Sequence, residues 1–102
     1  MSRLDAAARL EQLSAAFSAL AHPTRRQILL VIRFRGGAMT AGDIAGRFHY
    51  KWPTVSRHLR VLETTGLLVR ERSGRQHIYR LSLHSLALIK EWIRWLEVPK
   101  KG

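Results

Sequence analysis

Pro53-Thr54-Val55-Ser56-Arg57-His58-Leu59-Arg60-Val61-Leu62, closed by Thr65-Gly66 and followed by a basic segment that turns at Ser73-Gly74, is the stretch whose reading decides the fold. A proline suits the first turn of a helix, and Gly66 suits the left-handed residue just past its end, so a helix is predicted from about Trp52 to Thr65. Val55, Leu59 and Leu62 recur at i, i+4 and i+7 and make one apolar stripe for the core. With about 100° of turn per residue, Pro53, Arg57, Arg60 and Thr64 then fall on the opposite face, flanked by Thr54 and Ser56.

Upstream, Thr40 and Asp43 form a T-x-x-D start in front of Ile44, Ala45 and Phe48, which predicts a short helix a few residues before the first. Downstream, Leu67 to Arg72 and Gln76 to Leu81 are β-rich runs on either side of Ser73-Gly74-Arg75, a hairpin carrying Arg70, Arg72 and Arg75 at its tip and margins. Helix, tight turn, helix and basic wing is the order that offers one helix to the DNA major groove and an arm to the flanking backbone.

The outer segments complete a single domain over residues 1 to 102. Residues 3 to about 20 are alanine-rich, with Leu10, Leu13, Phe17 and Leu20 at helical spacing. Pro23 opens a second helix through Ile28, Leu29 and Ile32, stopping at Gly36-Gly37 and exposing Arg25, Arg26, Arg33 and Arg35. A last helix, from about Ser82 to Val98, has Leu86, Ile89, Ile93 and Leu96 on one stripe and Leu88, Trp92 and Trp95 on another. A small domain cannot bury both stripes alone, so one is expected against the first helix and the other against a second copy. Leu10, Leu13, Phe17, Leu88, Trp92 and Trp95 are the expected dimerisation residues, and Pro99 to Gly102 a frayed tail. The expected fold is mainly α with a small β-hairpin, in the order α-α-α-α-β-β-α: a winged helix-turn-helix that pairs through its first and last helices.

Charge points the same way. Lysine and arginine number 18 against 7 acidic residues, a formal net charge of +11 that favours polyanionic partners. From Arg47 to Arg80, the cations Arg47, Lys51, Arg57, Arg60, Arg70, Arg72, Arg75 and Arg80 face only Glu63 and Glu71. The absence of cysteine excludes disulfides and thiolate metal ligands within the chain. The longest apolar run, Ile28 to Ile32, is too short to span a bilayer, and the opening residues lack the apolar centre of a secretion signal, so a cytoplasmic location is expected.

A charged helix face is usually no more than a solvated surface. Here the short preceding helix, the wing and the local excess of cations all favour DNA contact. Thr54, Ser56 and Arg57 are the candidates for base edges, Arg57 because its fork can pair bidentately with guanine. Lys51, Trp52 and Arg60 are assigned to phosphates, and Arg72 and Arg75 on the wing to phosphate or the minor groove. His58 sits about 60° from Val55 and reads equally as a partly buried, hydrogen-bonded histidine or as a DNA contact.

Other chemistries find little support. No two of the five histidines lie three or four residues apart, as one helical face of metal ligands requires, so capping and surface roles are expected for them, and no cofactor. Ser56 and His58, two apart on a helix, do not face each other, and no phosphate loop or H-E-x-x-H is present, so no enzyme activity is expected. Trp92 and Trp95 read as packing in preference to a ligand pocket at the dimer seam. A general architectural DNA binder held by charge, and a winged-helix protein-interaction module, are the alternatives.

Over roughly residues 17 to 97 the chain resembles the ArsR/SmtB family of winged-helix bacterial repressors. The resemblance rests on Phe17 to Leu29 with its Ala21-His22-Pro23-Thr24-Arg25 core, on Gly42 to Phe48, on Pro53 to Leu62, and on Thr65-Gly66-Leu67-Leu68 with Gly74 to Leu81. It implies a homodimer joined through its first and last helices, binding an inverted-repeat operator and repressing transcription, often of its own operon. The family's metal sensors carry cysteines on the third helix, here Thr40 to Ala45, or a His/Asp set on the last helix. In that helix His84 is followed by Trp95 and Val98 at the other ligand positions, so the chain resembles the metal-free branch. Where the family often starts its recognition helix with serine, this chain has Lys51, which loses a cap and sets a cation at the positive end of the helix dipole.

Overall fold

The computed structural model describes residues 3–97 and Pro99. Its elements run α1 (Arg3–Leu20), α2 (Pro23–Phe34), β1 (Ala38–Thr40), α3 (Ala41–Ala45), α4 (Trp52–Thr64), β2 (Leu68–Ser73), β3 (Gln76–Leu81) and α5 (His84–Leu96). The helix-turn-helix is α3 and α4, and β2 and β3 form the wing. Val98 and the tail from Lys100, expected at the end of the last helix and beyond it, lie outside the described residues.

One element was not expected. The sheet has three antiparallel strands in the order β1-β3-β2, because Ala38-Met39-Thr40 pairs with β3, Met39 opposite Tyr79. The expected order therefore gains a strand between its second and third helices. At three residues, with only Met39 buried, β1 carries no alternation of its own; its strand character comes from a partner some forty residues later in the chain.

Local chemistry sets the helix ends. His22 caps α2, its Nδ1 accepting the Thr24 N–H at 3.2 Å, with Pro23 next in line. Thr40 caps α3, its Oγ1 accepting from Asp43 N at 3.1 Å, as the T-x-x-D pattern predicts. At the end of α4, Leu67 N–H donates to Leu62 O at 2.9 Å and Gly66 N–H to Glu63 O at 3.1 Å, the paired bonds of a Schellman motif. Gly66 takes φ 77°, and a Cβ built on it would stand 2.5 Å from Ser85 Oγ. That hydroxyl donates to Thr65 O at 2.6 Å and fastens the start of α5 to the end of α4.

The core gathers Ile28 and Ile32 of α2, Ile44 of α3, Val55, Leu59 and Leu62 of α4, and Leu67, Leu68, Met39 and Tyr79 from the sheet side. The α4 stripe is the one its spacing predicts. In α1 the buried side is Leu13, Ala16 and Ala19, the two alanines admitting close approach, while Leu10 and, to a lesser extent, Phe17 are exposed. Arg25 and Arg26, expected on the exposed side of α2, are half-buried and exposed respectively, and both reach back to close the end of α1: Arg25 Nε donates to Ala19 O at 2.7 Å and Arg26 Nη1 to Leu20 O at 2.8 Å.

Helix α5 lies along α1, joined by an Arg9–Glu91 ion pair, a 3.3 Å contact between His84 Nε2 and Gln12 Oε1, and an edge-to-face meeting of Phe17 and Trp92 at 5.2 Å. The stripe turned toward α1 is thus Leu88, Trp92 and Trp95. Leu13, assigned to the dimer seam from its spacing, is only 8% exposed and already covered within its own protomer, so its role is internal packing. Most open among the large apolar side chains of these two helices are Leu10 at 58%, Ile93 at 46%, Trp95 at 71% and Leu96 at 61%, with Phe17 and Trp92 exposed over about a third of their surface.

Candidate nucleic-acid interface

Helix α4 starts at Trp52 after Lys51, whose backbone is extended and whose side chain makes no cap bond. Thr54 N–H turns back to Lys51 O at 3.0 Å and Pro53 has no N–H to satisfy, which softens the loss of the cap. The buried stripe of Val55, Leu59 and Leu62 fixes the rotation of the helix. Pro53, Arg57, Arg60 and Thr64 are consequently exposed, as are Lys51 and Trp52 at its entrance, while Thr54, Ser56 and His58 are half-buried along its flanks.

The wing is built for a basic tip. Ser73 pairs with Gln76, leaving Gly74 and Arg75 as a two-residue turn, with Gly74 at φ 62° and Arg75 at negative φ, the pattern of a type II′ turn. Arg72 Nε donates to Gly74 O at 3.1 Å, bracing the turn, and Arg75 projects exposed from it.

The two carboxylates of this region are both committed. Glu63 on α4 meets Arg70 on β2 at 3.5 Å, and Glu71 on β2 meets Arg80 on β3 at 3.1 Å. Both pairs are partly exposed and add little to stability. Their effect is on the field: among the described residues no carboxylate pairs with Lys51, Arg57, Arg60 or Arg75, so the exposed face of α4 and the wing tip keep their charge.

His58 faces inward from the edge of this surface. Its ring lies 4.5 Å from that of His22, tilted by 54°, and burial together with His22, Arg25 and Arg57 holds its pKa below the ordinary histidine value. His58 thus packs against the histidine that caps α2. The sequence reading missed that Arg25 and His22 sit beside α4, where Arg25 shares a groove with Thr54, Arg57, His58 and Val61. His22 immediately before Pro23 is the signal of a cap that points there. Tyr50 was missed as well; it stacks on Phe48 at 6.3 Å in the turn before α4, its hydroxyl 3.4 Å from Thr24 Oγ1.

A helix-turn-helix with a cationic outward helix and, at its hairpin tip, an arginine that no carboxylate meets has the arrangement of elements and charge that DNA-binding winged helices share. Comparison with known proteins gives the lineage. A family profile described as a helix-turn-helix domain matches residues 20–71. The transcriptional repressor SdpR of Bacillus subtilis is 36% identical over 80 residues, which cover 78% of this chain and 83% of that protein. The HTH-type transcriptional repressor SmtB of Mycobacterium tuberculosis is 38% identical over 86 residues, 84% of this chain but 58% of the repressor, so this chain spans little more than half its length.

The chain belongs to the ArsR/SmtB family. Its fold matches the solution structure of a homodimeric winged helix-turn-helix DNA-binding domain from Mycobacterium bovis, described as a possible ArsR-family regulator, with a TM-score of 0.72 and 27% identity over 94% of this chain and 86% of that one. In this ArsR/SmtB chain the recognition helix is α4. The segment the profile matches runs from the end of α1 through Glu71 and so contains the helix-turn-helix and the first four residues of the first wing strand.

Proposed function

We propose that this chain is a homodimeric, sequence-specific transcriptional repressor of an inverted-repeat operator, acting in the cytoplasm without catalysis. The observation that carries the reading is the partition of charge: both carboxylates near the interface are spent on Arg70 and Arg80, leaving Arg57, Arg60 and Arg75 unpaired where a duplex would lie. Thr54, Ser56 and Arg57 read base edges, and Lys51, Trp52, Arg60, Arg72 and Arg75 hold the backbone. Lys51 at the helix entrance becomes favourable once a phosphate neutralises it. Relatives named as repressors and a homodimeric structural neighbour support the assignment.

Two copies bound to an inverted repeat would place two α4 helices about one duplex turn apart, near 34 Å. Exposed Leu10, Ile93, Trp95 and Leu96 supply apolar surface for the pairing. Selection of binding sites from random duplexes tests the reading. A palindromic consensus that degrades at one position per half-site in Arg57→Ala is the expected result. Equal recovery of all sequences, with Arg57→Ala weakening each alike, would replace specific recognition by architectural binding.

A further inference from the structure

The groove between α2 and α4, about 170 Å³ in volume, is lined by Arg25 of α2 and by Thr54, Arg57, His58 and Val61 of α4, with no residue of α1 or α5 in its walls. Arg25 is held there by the end of α1, its Nε donating to Ala19 O at 2.7 Å and its Nη2 to Ser18 O at 3.3 Å. Carbonyl acceptors fix the guanidinium without cancelling its charge, and of its five N–H groups these two bonds leave three unspent. Neither Arg25 nor Arg57 joins an ion pair among the described residues. His58 reports the field between them: after burial and His22, both arginines depress its pKa.

We propose that this groove seats a phosphate of the DNA backbone on Arg25, a contact that sets the register in which α4 presents Thr54, Ser56 and Arg57 to the bases. The inference rests on the DNA-reading assignment of α4 above. A helix with its side chains is about 10 to 12 Å across and the major groove about 12 Å wide, so a helix lying in it carries its flanks against the phosphates on either side. Thr54, Arg57, His58 and Val61 make one such flank, and Arg25 adjoins it. A guanidinium with coplanar donors to spare matches the oxygens of a phosphate. Because the side chain is already fixed, little conformational freedom is lost when the bond forms. With the phosphate on Arg25, Arg57 on the α4 wall is left to the base edges.

The test neutralises one phosphate at a time. A duplex carrying the site the protein selects is made as a series with a single methylphosphonate, and affinity is read by fluorescence anisotropy for wild type, Arg25→Gln and Arg26→Gln. In wild type one position per half-site is expected to cost about fivefold. In Arg25→Gln that cost falls below about twofold, while Arg26→Gln, which loses the neighbouring bond to Leu20 O, keeps it. The absence of any position whose cost depends on Arg25, or equal loss of the cost in Arg26→Gln, would overturn the contact. In the wild-type chain the Arg25 Nε–H signal, followed by nitrogen-15 NMR, is expected to move with the parent duplex and to lie nearer its free position with the methylphosphonate duplex. A signal indifferent to that change, or one that inorganic phosphate alone moves as far, would overturn it too. Salt dependence keeps the two readings apart. If no site is selected but Arg25→Gln still lowers the slope of log affinity against log salt by about 1 per bound chain on a random duplex, the phosphate contact stands without specific recognition. A selected site whose salt slope and phosphate costs ignore Arg25→Gln removes the contact alone.

Discussion

Replacing Gly66 by alanine attacks the joint where the recognition helix, the wing and α5 meet. At φ 77° an L-residue carries a left-handed penalty of about 1 kcal/mol or more. The added Cβ would also lie 2.5 Å from Ser85 Oγ, too close to keep. Ser85 must turn or move, and the partly buried 2.6 Å bond from its hydroxyl to Thr65 O is then lost, at a further cost of about 1 to 2 kcal/mol. Gly66→Ala should therefore destabilise the protein by about 2 to 3 kcal/mol. For a domain of this size that lowers the melting temperature by roughly 10 to 20 °C at fixed protein concentration. Urea denaturation of wild type, Gly66→Ala, Ser85→Ala and the double variant separates the terms. Ser85→Ala removes the obstructing oxygen, so the double variant should lose about 1 kcal/mol less than the two single losses added together. Strict additivity would show that Gly66 and Ser85 do not share the joint, and a cost below about 0.5 kcal/mol for Gly66→Ala would refute the strained-glycine argument.

Three further outcomes are expected. Arg75→Ala should weaken binding to all duplexes alike and lower the slope of log affinity against log salt by about 1 per half-site, read by fluorescence anisotropy over a salt series; a change in sequence preference would instead place Arg75 on bases. Glu71→Gln should do the opposite, freeing Arg80 and raising affinity for any duplex, most clearly at low salt; unchanged binding would put Arg80 away from the DNA. Because His58 titrates below its unfolded value, the unfolded chain binds more protons as pH falls through about 6.5 and stability drops. His58→Gln should flatten that decline in urea titrations between about pH 7 and 5, and an unaltered slope would remove His58 as its source.

The DNA-reading half of the molecule was legible because its signals are local. Pro53, the Val55-Leu59-Leu62 stripe and Gly66 each act within a turn or two of chain, and together they fix both the extent of α4 and which side of it faces water. The hairpin was legible for the same reason. What escaped the reading depends on partners far away in sequence. Ala38-Met39-Thr40 becomes a strand only beside Tyr79, Arg25 and Arg26 find their role only at the carbonyls of α1, and Leu13 is covered within a protomer whose last helix brings Leu88 and Trp92 alongside α1. Periodicity marked the two apolar stripes of the last helix but had no means of saying which of them α1 would take.

The grip of Arg25 and Arg26 on the last carbonyls of α1 has a mechanical consequence. Only Ala21 and His22 separate the two helices, and two guanidinium groups bolt that corner, so α1 and α2 form one bent lever in place of two jointed rods. Its long arm runs along α5, and its elbow carries His22 against the flank of the reading helix. A small tilt imposed on the long arm is thereby delivered to His58 as a sideways push, with little slack to absorb it on the way.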